Sequence, residues 1–550
     1  MSASGAGRDA DGGTGATADP TTTAKTISET TEERVTTDES MTTSERETRA
    51  HGGATAQRDA TADAPRADRL GDSPAIFPGP PTGLEIIALW TLFAIVMTLL
   101  SLENLHSGSN PFGDVYQVYR GWANQAAGGS VPGIHEPFVY PILALVPMWL
   151  ARVLGGPERE GYGMAWLWIV IAASAIGLAW LTIRPHLAAG RVSDPARAAG
   201  SASLERAERR GADAGWWWLA YLIALGPIAI GRIDGFTAPL AIIGIMLVRS
   251  SPLLSGALLA LLAWCKIWTV APFAAAVALF TRQRGMLLVG GLAVTAVVIL
   301  VGLMAGSGAN VLSFVTEQTG RGLQVESTAA TPFTWLAAAQ TPGYQVAYDT
   351  DILSVQVSGP GTEIASSLTT PAMALGVGAL LAIAMLSHRR GARPERLVLP
   401  LALGLVLVLI LFNKVGSPQF ATWIGAVMAA AIAIEGRRWL LPGGLALVAA
   451  WATQLIYPWS YDRVMYMSTT GAALLTVRNG LYVALFVWCV RELLRRAKTG
   501  GEEAAVAEVD GVDEEAPEEA PVEDGAIAEP AAEAEPALEA ASASEPASTA

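Results

Sequence analysis

Charged side chains break the apolar runs of this chain at three places. Gly231-Arg232-Ile233-Asp234-Gly235 interrupts one run, Lys266 stands alone in a second, and Asn413-Lys414-Val415-Gly416-Ser417-Pro418-Gln419-Phe420 opens a third. A charge at mid-bilayer costs about 2.5–3.5 kcal/mol even on a lenient insertion scale, so such residues face a protein interior or a wet cavity and bind something. Lysine and arginine there suit an anion, and a carboxylate on a wet face suits removal of a proton from a hydroxyl. Asp114 offers that carboxylate, within Asn110-Pro111-Phe112-Gly113-Asp114-Val115-Tyr116-Gln117-Val118-Tyr119-Arg120. His135-Glu136-Pro137-Phe138-Val139-Tyr140-Pro141 follows, and a later polar stretch carries Arg321, Gln324 and Glu326.

Each of these residues also has a plainer reading. Asp114 suits the N-cap of the helix that Tyr116 to Trp122 suggests. Lys266 can snorkel to an interface, and Arg232 and Asp234 can pair with each other. Arg321, Gln324 and Glu326 lie in a polar loop, where charges are ordinary, and His135 and Glu136 precede a helix start. Lys414 and Gln419 flank a Gly-Ser-Pro break whose freed backbone groups need polar partners.

Those residues must be held by apolar helices. The chain has 550 residues, 51% of them hydrophobic and 16% charged, a composition that points to a membrane. Its net charge of −14 misleads, because residues 501–550 carry sixteen acidic side chains and no Lys or Arg, leaving +2 for everything before them. Nothing in that balance calls for a nucleic-acid partner. Residues 1–80 and 499–550 hold few large apolar side chains and read as disordered tails around a membrane domain at 81–498. The first apolar segment begins near Gly83, too late for a cleaved signal. The two cysteines, Cys265 and Cys489, lie in apolar stretches, and the five histidines show no ligand spacing, so neither a disulfide framework nor a metal site is expected. Asp349-Thr350-Asp351 is the one literal Asp-x-Asp in the membrane domain and its external loops, and a metal site there stays open as an alternative.

Taking about 20 apolar residues per crossing, candidate spans fall near 84–102, 138–154, 162–183, 215–230, 237–248, 252–265, 267–281, 286–305, 370–387, 397–412, 420–434, 440–457 and 472–490. The positive-inside rule puts Arg282, Arg389, Arg437 and Arg491 in the cytoplasm. Loop 306–369, the Asn413–Phe420 break and Tyr457–Ser468 then face outward, and loop 103–137 is a second long external candidate. Thirteen crossings and two cytoplasmic tails conflict by parity. Some one of these segments must turn back or merge, with 138–154 and the short pair around Lys266 as candidates.

Asp114 just beyond the first span, with Tyr140-Pro141 opening the second, resembles the GT-C-type membrane glycosyltransferases, specifically the polyprenyl-phosphate-sugar-dependent family 87. Arg232–Pro239, Ala263–Pro272, Arg321–Phe333 and Asn413–Gln419 resemble further blocks of that family, in order, so the likeness covers about 84–490. Family members often carry Tyr-Pro-Pro where this chain has Tyr140-Pro141-Ile142. The resemblance implies an all-α polytopic GT-C-like bundle of about 11–13 transmembrane helices with two long external loops. It implies Asp114 as the general base, with Lys266, Arg232, Asp234, Arg321, Gln324, Glu326, Lys414, Gln419 and Tyr140 as substrate contacts.

The expected activity is transfer of a sugar, mannose by resemblance, from a polyprenyl phosphate to a cell-envelope glycolipid or polysaccharide on the outer face of the plasma membrane. Such a donor releases a lipid phosphate, whose charge suits fixed cations, and no metal or other cofactor is required. One base and no second nucleophilic carboxylate nearby imply inversion. A transporter or lipid-linked sugar flippase is the competing class, since broken helices and intramembrane charges also serve translocation. Such carriers usually show an internal repeat, and the Asp114 loop has no counterpart in the second half.

Overall fold

A computed structural model describes residues 74–106, 111–183, 197–317, 322–349 and 354–512. Arg321, the tails up to residue 73 and beyond residue 512, and two residues of Asp349-Thr350-Asp351 lie outside them. The described chain is helical, as its long apolar runs demand. Seven helical stretches among these residues are long and apolar enough to cross a membrane, and four further apolar helices are shorter. The protein is an all-α polytopic membrane protein.

In chain order the helices used below are α1 (Gly83–His106), α2 (Arg120–Ala127), α3 (Leu145–Gly155), α4 (Arg159–Thr182), α5 (Arg197–Leu225), α6 (Ile233–Leu247), α7 (Pro252–Ala263), α8 (Val270–Leu279) and α9 (Arg284–Met304). After a long loop come α10 (Thr331–Ala338), α11 (Thr362–Arg389), α12 (Pro394–Leu411), α13 (Ala421–Glu435), α14 (Leu440–Gln454) and α15 (Thr469–Val512). Helices α12 and α13 are buried almost throughout and form the centre of the bundle. By contrast α9 and α11 leave most of their apolar side chains uncovered, as lipid-facing helices do.

The segment 138–154 has both its ends against the Asp114 loop. Its start touches the Asp114 loop through Trp122 against Tyr140, with ring centroids 5.7 Å apart. Its end returns to the same loop, where the Pro157 carbonyl accepts from Arg120 Nη1 at 3.0 Å. Helix α3 therefore leaves and rejoins one loop. Sequence periodicity could not show this, because an apolar helix lying along an interface and a short crossing read alike.

Three further departures are physical. The loop after α9 contains an antiparallel hairpin, β1 (Gln345–Asp349) with β2 (Ser354–Ser358), registered Gln345 to Ser358 and Asp349 to Ser354. The expected tail 1–80 is docked from Pro74 onward. The Ile76 amide donates to Asp213 Oδ2 at 2.7 Å, Arg209 lies over the Phe77 ring, and the Arg437 amide donates to the Pro74 carbonyl at 3.0 Å. Arg209 in turn grips both Glu85 carboxylate oxygens, tying the first turn of α1 to α5. Lastly, α15 runs past the boundary set at residue 498.

Candidate active site

Four helix starts meet at one place. Pro141, Arg232, Lys266 and Ser417 each have extended backbone, and each opens a helical segment at the next residue. All four breaks are written in the sequence as polar or proline residues inside apolar runs. The first-turn amides of a helix carry roughly half a positive charge between them and favour an anion. None of the four N-cap residues caps its own helix with its side chain.

At this junction Lys266 is almost completely buried, and its Nζ lies 3.8 Å from Asp234 Oδ2. The ammonium also sits over the Tyr140 ring at 4.3 Å, with the Phe420 ring at 6.0 Å. Snorkelling is thereby ruled out. Asp234 is fully buried, and its Oδ1 accepts from Trp423 Nε1 at 2.6 Å. Trp423 is stacked between Phe420 at 4.1 Å and Trp268 at 5.9 Å, forming an aromatic wall beside the lysine.

The second pair stands next to the first. Arg232 Nε lies 3.0 Å from Asp114 Oδ2, so Arg232 pairs with Asp114 and Asp234 with Lys266, and the expected Arg232–Asp234 pair does not form. Arg232 spends its remaining donors on the Pro111 and Gly231 carbonyls and on the Tyr457 hydroxyl. Those contacts hold the guanidinium in place. Gly231 is required here, because a Cβ would run into Asn104 Oδ1 and the Pro227 and Pro111 carbonyls. Asp114 does not cap a helix: it lies in the first turn of a π-helical stretch, Asp114–Tyr119, whose N-cap is Gly113. Such turns are frequent at functional sites. The same stretch supplies Tyr119, whose hydroxyl accepts from the Ile233 amide at 3.3 Å and joins the Asp114 loop to the start of α6. Burial pushes the Tyr119 phenol well above its usual range, so it serves as a neutral hydrogen-bonding group.

Beside the junction an apolar groove of about 260 Å³ runs between α7, α8 and α9. Trp264 and Ile267, near neighbours of Lys266 in the chain, line it together with Leu259, Ala263, Phe273 and Phe314.

The later expected residues form a separate group. The Gln324 amide donates to the Lys414 carbonyl at 3.0 Å, and Gln324 Oε1 accepts from the Gly416 amide at 2.9 Å. Glu326 is buried against Arg478, Nη1 to Oε2 at 2.6 Å. Burial raises the Glu326 carboxyl above the usual carboxylate range while the Arg478 charge pulls it back. Lys414 is half-buried and Gln419 is buried in the short turn Pro418–Phe420. The structure thus brings Asp114, Tyr140, Arg232, Asp234 and Lys266 together, and it sets Gln324, Glu326 and Lys414 alongside as a bracing layer. Arg478, Tyr457, Phe420 and Trp423 were missed. Arg478 carried the signal used for Lys266, a lone charge within an apolar run.

Among the described residues no cluster of His, Cys, Asp and Glu could hold a metal ion. No protein-family model matches the chain, and no curated protein matches it either.

Proposed function

We propose that this protein is an integral membrane glycosyltransferase that moves a sugar, mannose by resemblance, from a polyprenyl phosphate to a cell-envelope glycolipid or polysaccharide. The observation that carries the reading is the junction of four helix starts around buried Lys266, with Asp114 on its open side and an apolar groove beside it. A lipid phosphate would lie at the lysine and the helix ends, its chain in the groove, and the acceptor hydroxyl would approach Asp114. The side chain of Asp114 keeps 40% of its surface exposed, as a base that meets an incoming substrate needs. Asp114 takes the hydroxyl proton while the oxygen attacks the anomeric carbon, and the lipid phosphate leaves with the bonding electrons. A single displacement of this kind inverts the anomeric configuration.

With α3 turning back, we read twelve crossings: α1, α4 to α9 and α11 to α15. An even number puts both tails on one face, the cytoplasmic one by the positive-inside rule. A helix of α7's length, 12 residues, rises only about 18 Å against a hydrocarbon layer of about 30 Å. The break at Lys266, which follows α7, is therefore recessed into the layer, where a lipid-borne donor can reach it. A flippase uses similar parts, but a half-exposed carboxylate oriented by a buried guanidinium on the open side favours chemistry over passage.

The test is the mass profile of envelope lipoglycans in a deletion strain complemented with wild type or with Asp114→Asn at equal expression. The reading requires that wild type restore a missing sugar and Asp114→Asn not. No glycan change on deletion would favour transport.

A further inference from the structure

We infer that Arg478 is a positioning residue: its buried grip on Glu326 holds the segment 322–331 down on the Gly416 break and so fixes the aromatic wall against which Lys266 stands. The inference rests on the reading of Lys266 as the cation that meets the lipid phosphate.

Arg478 lies inside the apolar part of α15, where an arginine is expensive, and only 2% of its side chain is exposed. Its fork is spent on one short segment. Nη1 donates to Glu326 Oε2 at 2.6 Å, Nη2 donates to the Glu326 carbonyl, and Nε and Nη2 share Asn479 Oδ1. Asn479 extends the grip by donating to Thr331 Oγ1 at 2.9 Å. An apolar pair of equal volume would have packed these elements at no greater cost in stability, since desolvation consumes most of what a buried ion pair returns. What the arginine adds is directional: one loop in one register.

From that loop a line of direct contacts runs to Lys266. Gln324 is bonded to Lys414 and Gly416, at 3.0 and 2.9 Å. A Cβ at Gly416 would collide with the Glu326 and Ser327 backbone, so the break and the loop are pressed together without clearance. Gly416, Ser417, Phe420, Glu326 and Arg478 line one small cavity between them. Phe420 stacks on Trp423 at 4.1 Å, and Trp423 donates to Asp234, the counter-ion of Lys266. Lifting segment 322–331 would free the break, tilt Phe420 and Trp423, and release the carboxylate that sets where the ammonium points.

Contiguity alone does not establish coupling, and a double-mutant cycle measures it. The probe is farnesyl phosphate, titrated onto the full-length protein in nanodiscs, with melting temperature recorded for every variant. Arg478→Lys keeps the charge but loses the fork, and it should weaken binding on the order of tenfold. Lys266→Ala should also weaken binding, and in that background Arg478→Lys should add little further loss. Losses that simply multiply would overturn the inference, as would wild-type affinity in an Arg478→Lys protein that merely melts earlier. If Lys266→Ala binds as well as wild type, the reading of Lys266 fails and this inference falls with it. Should Arg478→Lys not fold, Glu326→Asp withdraws the carboxylate by one methylene and is read in the same way.

Discussion

Asp114 Oδ2 and Arg232 Nε meet at 3.0 Å, one side chain open to solvent and the other buried. The guanidinium is itself pinned by the Pro111 and Gly231 carbonyls and the Tyr457 hydroxyl, so it orients the carboxylate as a fixed bracket would. Removing the carboxylate charge should therefore cost chemistry far more than folding. Asp114→Asn should lower the rate of sugar transfer by about 10²–10⁴, the usual worth of a general base. Transfer from a labelled polyprenyl-phosphate sugar in membranes measures it. A rate within a factor of three or so of wild type would remove Asp114 from the mechanism.

Arginine and lysine are not interchangeable at the other end of this pair. Arg232→Lys has one nitrogen where the site uses three, so two carbonyls and a hydroxyl lose their donor. The expected result is a fall in kcat with little change in the KM for donor, because the donor phosphate is assigned to Lys266. A rise in KM alone would return Arg232 to the phosphate.

Lys266 and Asp234 should behave as a unit. Lys266→Ala strands a fully buried carboxylate, which costs about 3–5 kcal/mol. Adding Asp234→Asn removes the stranded charge and should recover most of the melting temperature in detergent. Activity should stay lost in the double variant. Recovery of transfer along with stability would show the pair to be structural.

The groove makes a prediction about chain length. Ala260 lines it, and Ala260→Phe would fill part of its 260 Å³. Donor KM should rise on the order of tenfold for a long polyprenyl chain and much less for a short one. Equal effects on both would place the lipid elsewhere.

Much of the junction was legible because charge inside an apolar run is costly wherever it occurs. Asp234, Lys266 and Arg232 were found on that ground, and Asp114 and Tyr140 through resemblance to a family motif. Partnership was not legible. Neighbours in sequence suggested that Arg232 pairs with Asp234, but the backbone turns between them at the start of α6 and sends the two side chains to different helices. The partner of Arg478 was hidden in the same way, since its carboxylate lies 152 residues away, a separation that no local pattern encodes, although the lone charge in an apolar run was itself in view. The course of α3 depends on what its two ends touch, and composition records neither end.

The docked stretch Pro74–Phe77 has a mechanical consequence. It is fastened to Asp213 and Arg209 on α5 and to Arg437 at the corner between α13 and α14, with Glu85 of α1 held by the same Arg209. Tension applied through the residues ahead of Pro74 would thus be shared among three helical elements before it reached α1. The anchorage acts as a strain relief, insulating the first crossing, and the Asp114 loop at its far end, from whatever tugs on the amino-terminal side.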